Sequence, residues 1–136
     1  MQNYIEYMQI CETIAQAAAS RGNSPVGSLI IVKDEIVAMA EEAVAEKQDV
    51  SCHAEMEAIR KARKTIGKDM SDAILITTKE PCVMCSYAIR YHKIGVVVYQ
   101  EKAEALGGAN SGFDLLISDD VPNGWGPPVK CIQLNN

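Results

Sequence analysis

Two short stretches constrain this chain more than any bulk property does: His53-Ala54-Glu55, and Pro81-Cys82-Val83-Met84-Cys85. Each opens a run of helical pattern, and one apolar strand-like run, Ala73–Thr78, lies between them. A side chain in the first turn of a helix tilts toward the N-terminus, so His53 and Glu55 both lean into the space beyond the helix end. Cys82 and Cys85, three residues apart, share one face of their own helix. His53, Cys82 and Cys85 are ligands of the kinds zinc takes, and three protein ligands leave a fourth position open, as in a catalytic site. Two helix N-termini aimed at that ion would favour thiolate and hydroxide beside it.

Read apart, neither stretch is decisive. A C-x-x-C pair also serves redox chemistry or half of a structural zinc site, and a histidine at a helix start often caps or packs. A redox role leaves His53 and Glu55 unexplained. Cys52 is a poor fourth ligand, because neighbouring helical side chains diverge by about 100°; it reads as a buried spectator thiol. Cys131 is the stronger rival, since a tail strand can carry it to the metal and close the site, turning it into a structural centre.

The rest of the chain alternates helix and strand. Asn3 followed by Glu6 resembles a capping box, and Tyr4, Met8, Cys11, Ile14 and Ala18 recur at helical spacing up to the Arg21-Gly22-Asn23 break. Gly27–Val32 and Ile36–Ala40, separated by Lys33-Asp34-Glu35, predict a hairpin, and residues 41–50 a polar loop. A helix is predicted from Cys52 to about Ile66, ended by Gly67, and a third with Pro81 in its first position. Gly95 precedes the strand Val96–Tyr99. Beyond Glu101 the pattern weakens: Ala103–Leu106 and Phe113–Ile117 read as short helices, Pro122–Pro128 as irregular, and Val129–Leu134 as a last strand. The expected architecture is a mixed sheet with helices packed on it, an α/β layer fold.

The 136 residues are 48% apolar and carry a net charge of −5, which fits one domain burying roughly 68% of its unfolded surface without a staple. The acidity weighs against unaided binding to a phosphate backbone. Positive charge gathers in Arg60, Lys61, Arg63, Lys64 and Lys68, with no aromatic residue interleaved for stacking, so the run reads as a solvated helix face. No apolar stretch approaches the ~18 residues of a membrane span, and no basic segment leads into an apolar run at the start, so a cytoplasmic location is expected. Five cysteines then read as thiols or metal ligands.

Together, with 29 positions from His53 to Cys82, the two stretches form the H-x-E and P-C-x-x-C pair of zinc deaminases. The sequence resembles the cytidine deaminase-like superfamily, closest to its branch of tRNA adenosine deaminases, guanine deaminases and cytosine deaminases. The resemblance runs roughly from residue 1 to 117, through Pro25-Val26-Gly27, Cys52-His53-Ala54-Glu55, Thr78–Cys85 and Ile94–Val98. It implies a three-layer α/β/α sandwich with a five-stranded mixed sheet, one Zn2+ per subunit, and a homodimer or larger homo-oligomer. A single deaminase domain over residues 1–136 is expected, with an atypical tail from about 118. Two thiolates and an imidazole cancel most of the charge of zinc, so a base is needed beside its water. Glu55 is the candidate, taking a proton from the attacking water and returning protons to the ring nitrogen and the departing amine as ammonia leaves. The Ala54 N–H is placed to hold an acceptor on the base, as resembling enzymes do.

Two departures bear on substrate. Members of this branch generally carry an asparagine eleven positions before the zinc histidine; here that position is Glu42. An ionised carboxylate only accepts hydrogen bonds, so Glu42 would favour a substrate edge rich in N–H donors, unless the loop is reshaped and Glu42 faces solvent. The long C-terminal helix common in the tRNA-editing members is not evident either. Phe113 and Trp125, the sole tryptophan, are candidates to stack on or cover a base; the other reading puts Phe113 in the core and makes Trp125 an anchor for an irregular tail, and for Trp125 that reading is preferred. The expectation is a hydrolytic deaminase of a small nucleobase, nucleoside or related amino-heterocycle. One alternative is a tRNA-specific adenosine deaminase, against which the charge, Glu42 and the tail weigh; the other is a non-catalytic zinc-stabilised interaction domain, which requires a fourth ligand and no cavity beside Glu55.

Overall fold

The structure, a computed structural model, describes residues 3–134. Helix α1 (Tyr4–Ser20) begins where the Glu6 N–H donates to the Asn3 side chain at 3.2 Å, and it buries Met8, Cys11, Ala15 and Ala18. Strands β1 (Gly27–Val32) and β2 (Glu35–Glu41) form the expected hairpin. Its turn has Lys33 and Asp34 at φ of 52° and 66°, the left-handed pair that matches the twist of the flanking strands. A short helix α2 (Val44–Lys47) is followed by α3 (Ala54–Ile66), β3 (Ala73–Lys79), α4 (Val83–Tyr91), β4 (Val96–Glu101) and β5 (Lys130–Gln133).

The five strands make one mixed sheet in the order β2-β1-β3-β4-β5, antiparallel across β2, β1 and β3 and parallel across β3, β4 and β5. Successive strand side chains alternate in direction, which assigns the faces. Leu29, Ile31, Ile76 and Val98 pack under Met8 and Cys11 of α1, whereas Ile30, Leu75 and Val97 pack against Ala58, Ile59 and Ala62 of α3 and Ile89 of α4. The result is the three-layer α/β/α sandwich. Strands covered on both faces read as unbroken apolar runs, which is why β1 and β3 were visible in the sequence. At Gly27 the strand meets α1 so closely that a Cβ would overlap the Cys11 carbonyl and Ile14.

Strands β2, β3 and β4 end at one edge of the sheet, the edge at which β1 begins. The chain leaves β2 toward α3 and β3 toward α4 there, so the N-termini of both helices meet at that edge.

Three expectations are corrected. Residues 41–50 are not loop throughout: the Val44 N–H donates to Glu42 at 2.7 Å and the Glu46 N–H to Asn23 at 3.0 Å, so side chains satisfy the first turn of α2. Pro81 is not the first residue of α4; Cys82 is its N-cap and forms an isolated bridge with Gly107. Neither Ala103–Leu106 nor Phe113–Ile117 is helical. The N–H groups of Ala103, Ala109 and Asn110 go to the carboxylate of Glu80 instead, and the carbonyls of Leu115, Leu116 and Ser118 go to the guanidinium of Arg90. Among the described residues no helix is long and apolar enough to cross a membrane.

Candidate active site

His53 and Cys82 are the N-cap residues of α3 and α4, both extended in backbone, and neither side chain caps its own helix. The capping reading of His53 is thereby excluded. Its Nδ1 lies 3.6 Å from Cys82 Sγ and 3.5 Å from Cys85 Sγ, and the three atoms all fall within 4.8 Å of one another. A tetrahedral zinc with ordinary Zn–N and Zn–S bonds would set nitrogen and sulfur about 3.6 Å apart. The donor set therefore fits one Zn2+ in chemistry and in spacing. Cys85 is fully buried behind the cluster, while His53 and Cys82 border an open cavity, so any fourth position faces that space.

The cavity holds about 310 Å3 and is lined from every connection at this sheet edge: Ser24 and Val26 before β1, Glu42 after β2, His53 and Glu55 at α3, Lys79 at the end of β3, Glu80 and Cys82 between β3 and α4, and Ala103, Glu104 and Ala105 after β4. Glu55, only 4% exposed, sits one residue inside α3. Burial pushes its carboxyl up to about 7, with the charges of Cys82 and Glu42 adding to the shift and His53 opposing it. The Cys82 thiol is held down at about 4, chiefly by a hydrogen bond from Cys85 and further by the His53 ring. Cys85 is correspondingly raised, by that hydrogen bond and by burial, and His53 is raised by its contact with Cys82. Of the three donors, Cys82 is thus the one held as a thiolate.

Other residues singled out from the sequence divide clearly. Glu42 is 7% exposed and lines the cavity, and Ala54 is the buried first residue of α3. Phe113 is 59% exposed and does not line it. Trp125 lies edge-on to Tyr87 at 4.8 Å and borders a separate cleft with Lys68, Tyr91 and Lys93. The structure thus removes both aromatic residues from the site, because the tail between them follows Arg90 rather than the cavity mouth. Cys52 faces Arg60, and Cys131 lies on β5 beside Val97 with its thiol toward the Val129 carbonyl. Among the described residues the metal-ligating group contains His53, Cys82 and Cys85 only. The fourth ligand required by a structural centre is not supplied by Cys131. Glu80 was missed: it lines the cavity at 2% exposure, yet its partners are more than twenty residues away, beyond any local pattern.

The profile of the cytidine and deoxycytidylate deaminase zinc-binding region matches residues 1–101. A tRNA-specific adenosine deaminase of Aquifex aeolicus is 35% identical over 111 residues, covering 81% of this chain and 74% of that protein. A tRNA(Ile)-lysidine synthase of Deinococcus radiodurans is 39% identical over 122 residues, covering 86% of this chain but only 20% of that longer protein. Among solved structures, a guanine deaminase from Bacillus subtilis is 33% identical with a TM-score of 0.71, covering 74% of this chain and 66% of its own. A tRNA:A34 deaminase studied for A-to-I editing at the wobble position shares the fold at a TM-score of 0.83 and 24% identity, covering 96% of this chain and 98% of its own.

Proposed function

The chain belongs to the cytidine and deoxycytidylate deaminase zinc-binding family and is a zinc-dependent hydrolytic deaminase; from that premise we propose that its substrate is a small nucleobase, nucleoside or related amino-heterocycle presenting N–H donors along one edge. The observation that carries this reading is Glu42, a carboxylate nearly closed off from solvent and lining the same cavity as His53 and Glu55. Such a group accepts hydrogen bonds and repels further anions. Apart from the metal ligands and Glu55, the cavity carries Glu42, Glu80 and Glu104 against one cationic side chain, Lys79, a balance that disfavours a phosphate backbone.

In this reading His53, Cys82 and Cys85 hold one Zn2+, which when bound supplies the Lewis acidity that makes a water nucleophilic near neutral pH. Glu55 takes the proton of the attacking water and delivers protons to the ring nitrogen and to the leaving amine, so that one water enters and one ammonia departs. The Ala54 N–H, one of the first-turn groups of α3 left without an intrahelical acceptor, holds a carbonyl or ring nitrogen of the base. A second copy of this chain would cover the apolar surface of Met56, Val83, Met84, Tyr87 and Leu115.

A second reading, adenosine in a tRNA anticodon loop as substrate, is favoured by the tRNA-specific adenosine deaminases among the relatives. Ammonia release from cytosine, guanine, isocytosine, adenine, their nucleosides, aminotriazines and an anticodon stem-loop separates the two. Turnover of a small heterocycle supports the first, and turnover of the stem-loop alone overturns it.

A further inference from the structure

Glu80 stands between β3 and the cysteine-bearing start of α4, 2% exposed and engaged in none of the ion pairs of the described residues. A buried carboxylate without a cation is tolerated only where hydrogen-bond donors converge on it. Here the donors are backbone. The Ala103 N–H donates to Oε1 at 3.2 Å, and the Ala109 and Asn110 N–H groups donate to Oε2 at 2.9 and 2.8 Å. The two chain segments are also laced directly: the Glu80 N–H donates to the Glu101 carbonyl at 2.7 Å, Val83 to Leu106 at 2.8 Å, and Gly108 to Pro81 at 2.8 Å. Gly107 lies so near the carboxylate that a Cβ there would overlap it.

The segment gathered in this way supplies Ala103, Glu104 and Ala105 to the cavity that also contains Glu42, His53 and Glu55. We propose that Glu80 is a positioning residue: its carboxylate holds residues 103–110 as one wall of the substrate cavity and so governs how tightly the substrate is held, without contacting the reacting atoms. The assignment of this cavity to substrate rests on the reading above. The carboxylate form is required, because a glutamine amide placed among three N–H donors sets its own amino group against at least one of them.

Glu80→Gln, Gly107→Ala and the parent protein, each zinc-loaded, provide the test. Gly107→Ala presses on the same carboxylate from the other side and leaves its charge in place, so it serves if the glutamine variant does not fold. Amide hydrogen exchange over residues 101–110 is expected to speed up at least about tenfold in both variants with α3 unchanged. On the best substrate of the ammonia panel KM is expected to rise about tenfold or more with kcat within about threefold, and zinc to remain at about one per chain. Unchanged exchange in that segment, or a fall in kcat at constant KM, overturns the positioning role. If the parent deaminates nothing in the panel the substrate reading fails, while the exchange measurement still decides whether Glu80 orders the wall.

Discussion

Replacing Glu42 by glutamine changes what the cavity presents while leaving the backbone support intact. Glu42 Oε1 accepts the Val44 N–H at 2.7 Å, the bond that starts α2. A glutamine keeps that bond through its amide oxygen, because turning its amino group toward Val44 would oppose two donors. The amino group then occupies the other position, and an anionic acceptor becomes a neutral donor. Stability should change by no more than about 0.5 kcal/mol, since no cap and no packing volume are lost. A substrate N–H that bonded the carboxylate loses a charge-assisted bond and meets a donor instead, about 3–4 kcal/mol in the transition state, which is about 100- to 1000-fold in kcat/KM. The assay is initial-rate ammonia release on paired substrates that differ only in having N–H or a ring acceptor along one edge. The N–H member of each pair should lose and the acceptor member should hold or gain. An equal loss on both members, or no loss on either, would refute the reasoning.

Other outcomes are expected from the same structure. Glu55→Gln should retain about one zinc per chain by metal analysis and lose at least about 1000-fold in kcat, as removal of a proton-transfer group does; retained turnover would end the role assigned to Glu55. Arg90→Met should cost about 3–5 kcal/mol in urea unfolding, because it strands the buried Leu116 carbonyl (3.3 Å) and the part-buried carbonyls of Leu115 (2.8 Å), Ser118 (2.9 Å) and Gly126 (3.1 Å) that the guanidinium now serves, and a loss under about 1 kcal/mol would contradict this. His92 is buried with Nδ1 at 2.7 Å from the Ala88 carbonyl and Nε2 at 3.0 Å from Arg63, a pairing that suits the neutral ring, and burial lowers its pKa below the ordinary histidine range. The unfolded chain therefore takes up this proton first as pH falls. The His92 contribution should be fully present above about pH 6.5 and decline below it, and melting curves of the parent and His92→Gln at pH 7.5 and 5.5 should show the parent losing more.

How much was legible can be judged residue by residue. Asn3, Gly67 and the spacing of Met8, Cys11 and Ala18 act within one or two helical turns, so α1 and α3 were readable within two residues of their true ends. The apolar strands were readable because both faces of the sheet are covered. By contrast, α2 depends on Asn23 reaching Glu46 across 23 positions, and the path of the tail depends on Arg90 reaching Gly126 across 36. Neither leaves a periodic trace. The same distance dependence explains why the sequence left Phe113 and Trp125 open between the cavity and the tail, where Trp125 packs on Tyr87 and Phe113 is exposed.

What the amino-acid sequence determined by itself was the chemistry. Two ligand-bearing helix starts with a strand between them specify His53, Cys82 and Cys85 as donors and Glu55 as their neighbour, because ligand spacing and the tilt of first-turn side chains are local properties. Only the tertiary structure decided the shape around that chemistry. It turned Glu42 into the cavity, carried Cys131 onto the outermost strand β5 and away from the cluster, and drew residues 103–110 onto Glu80. Each of those outcomes follows from buried polar groups finding partners across the fold, a requirement that burial imposes and that no short stretch of sequence can state alone.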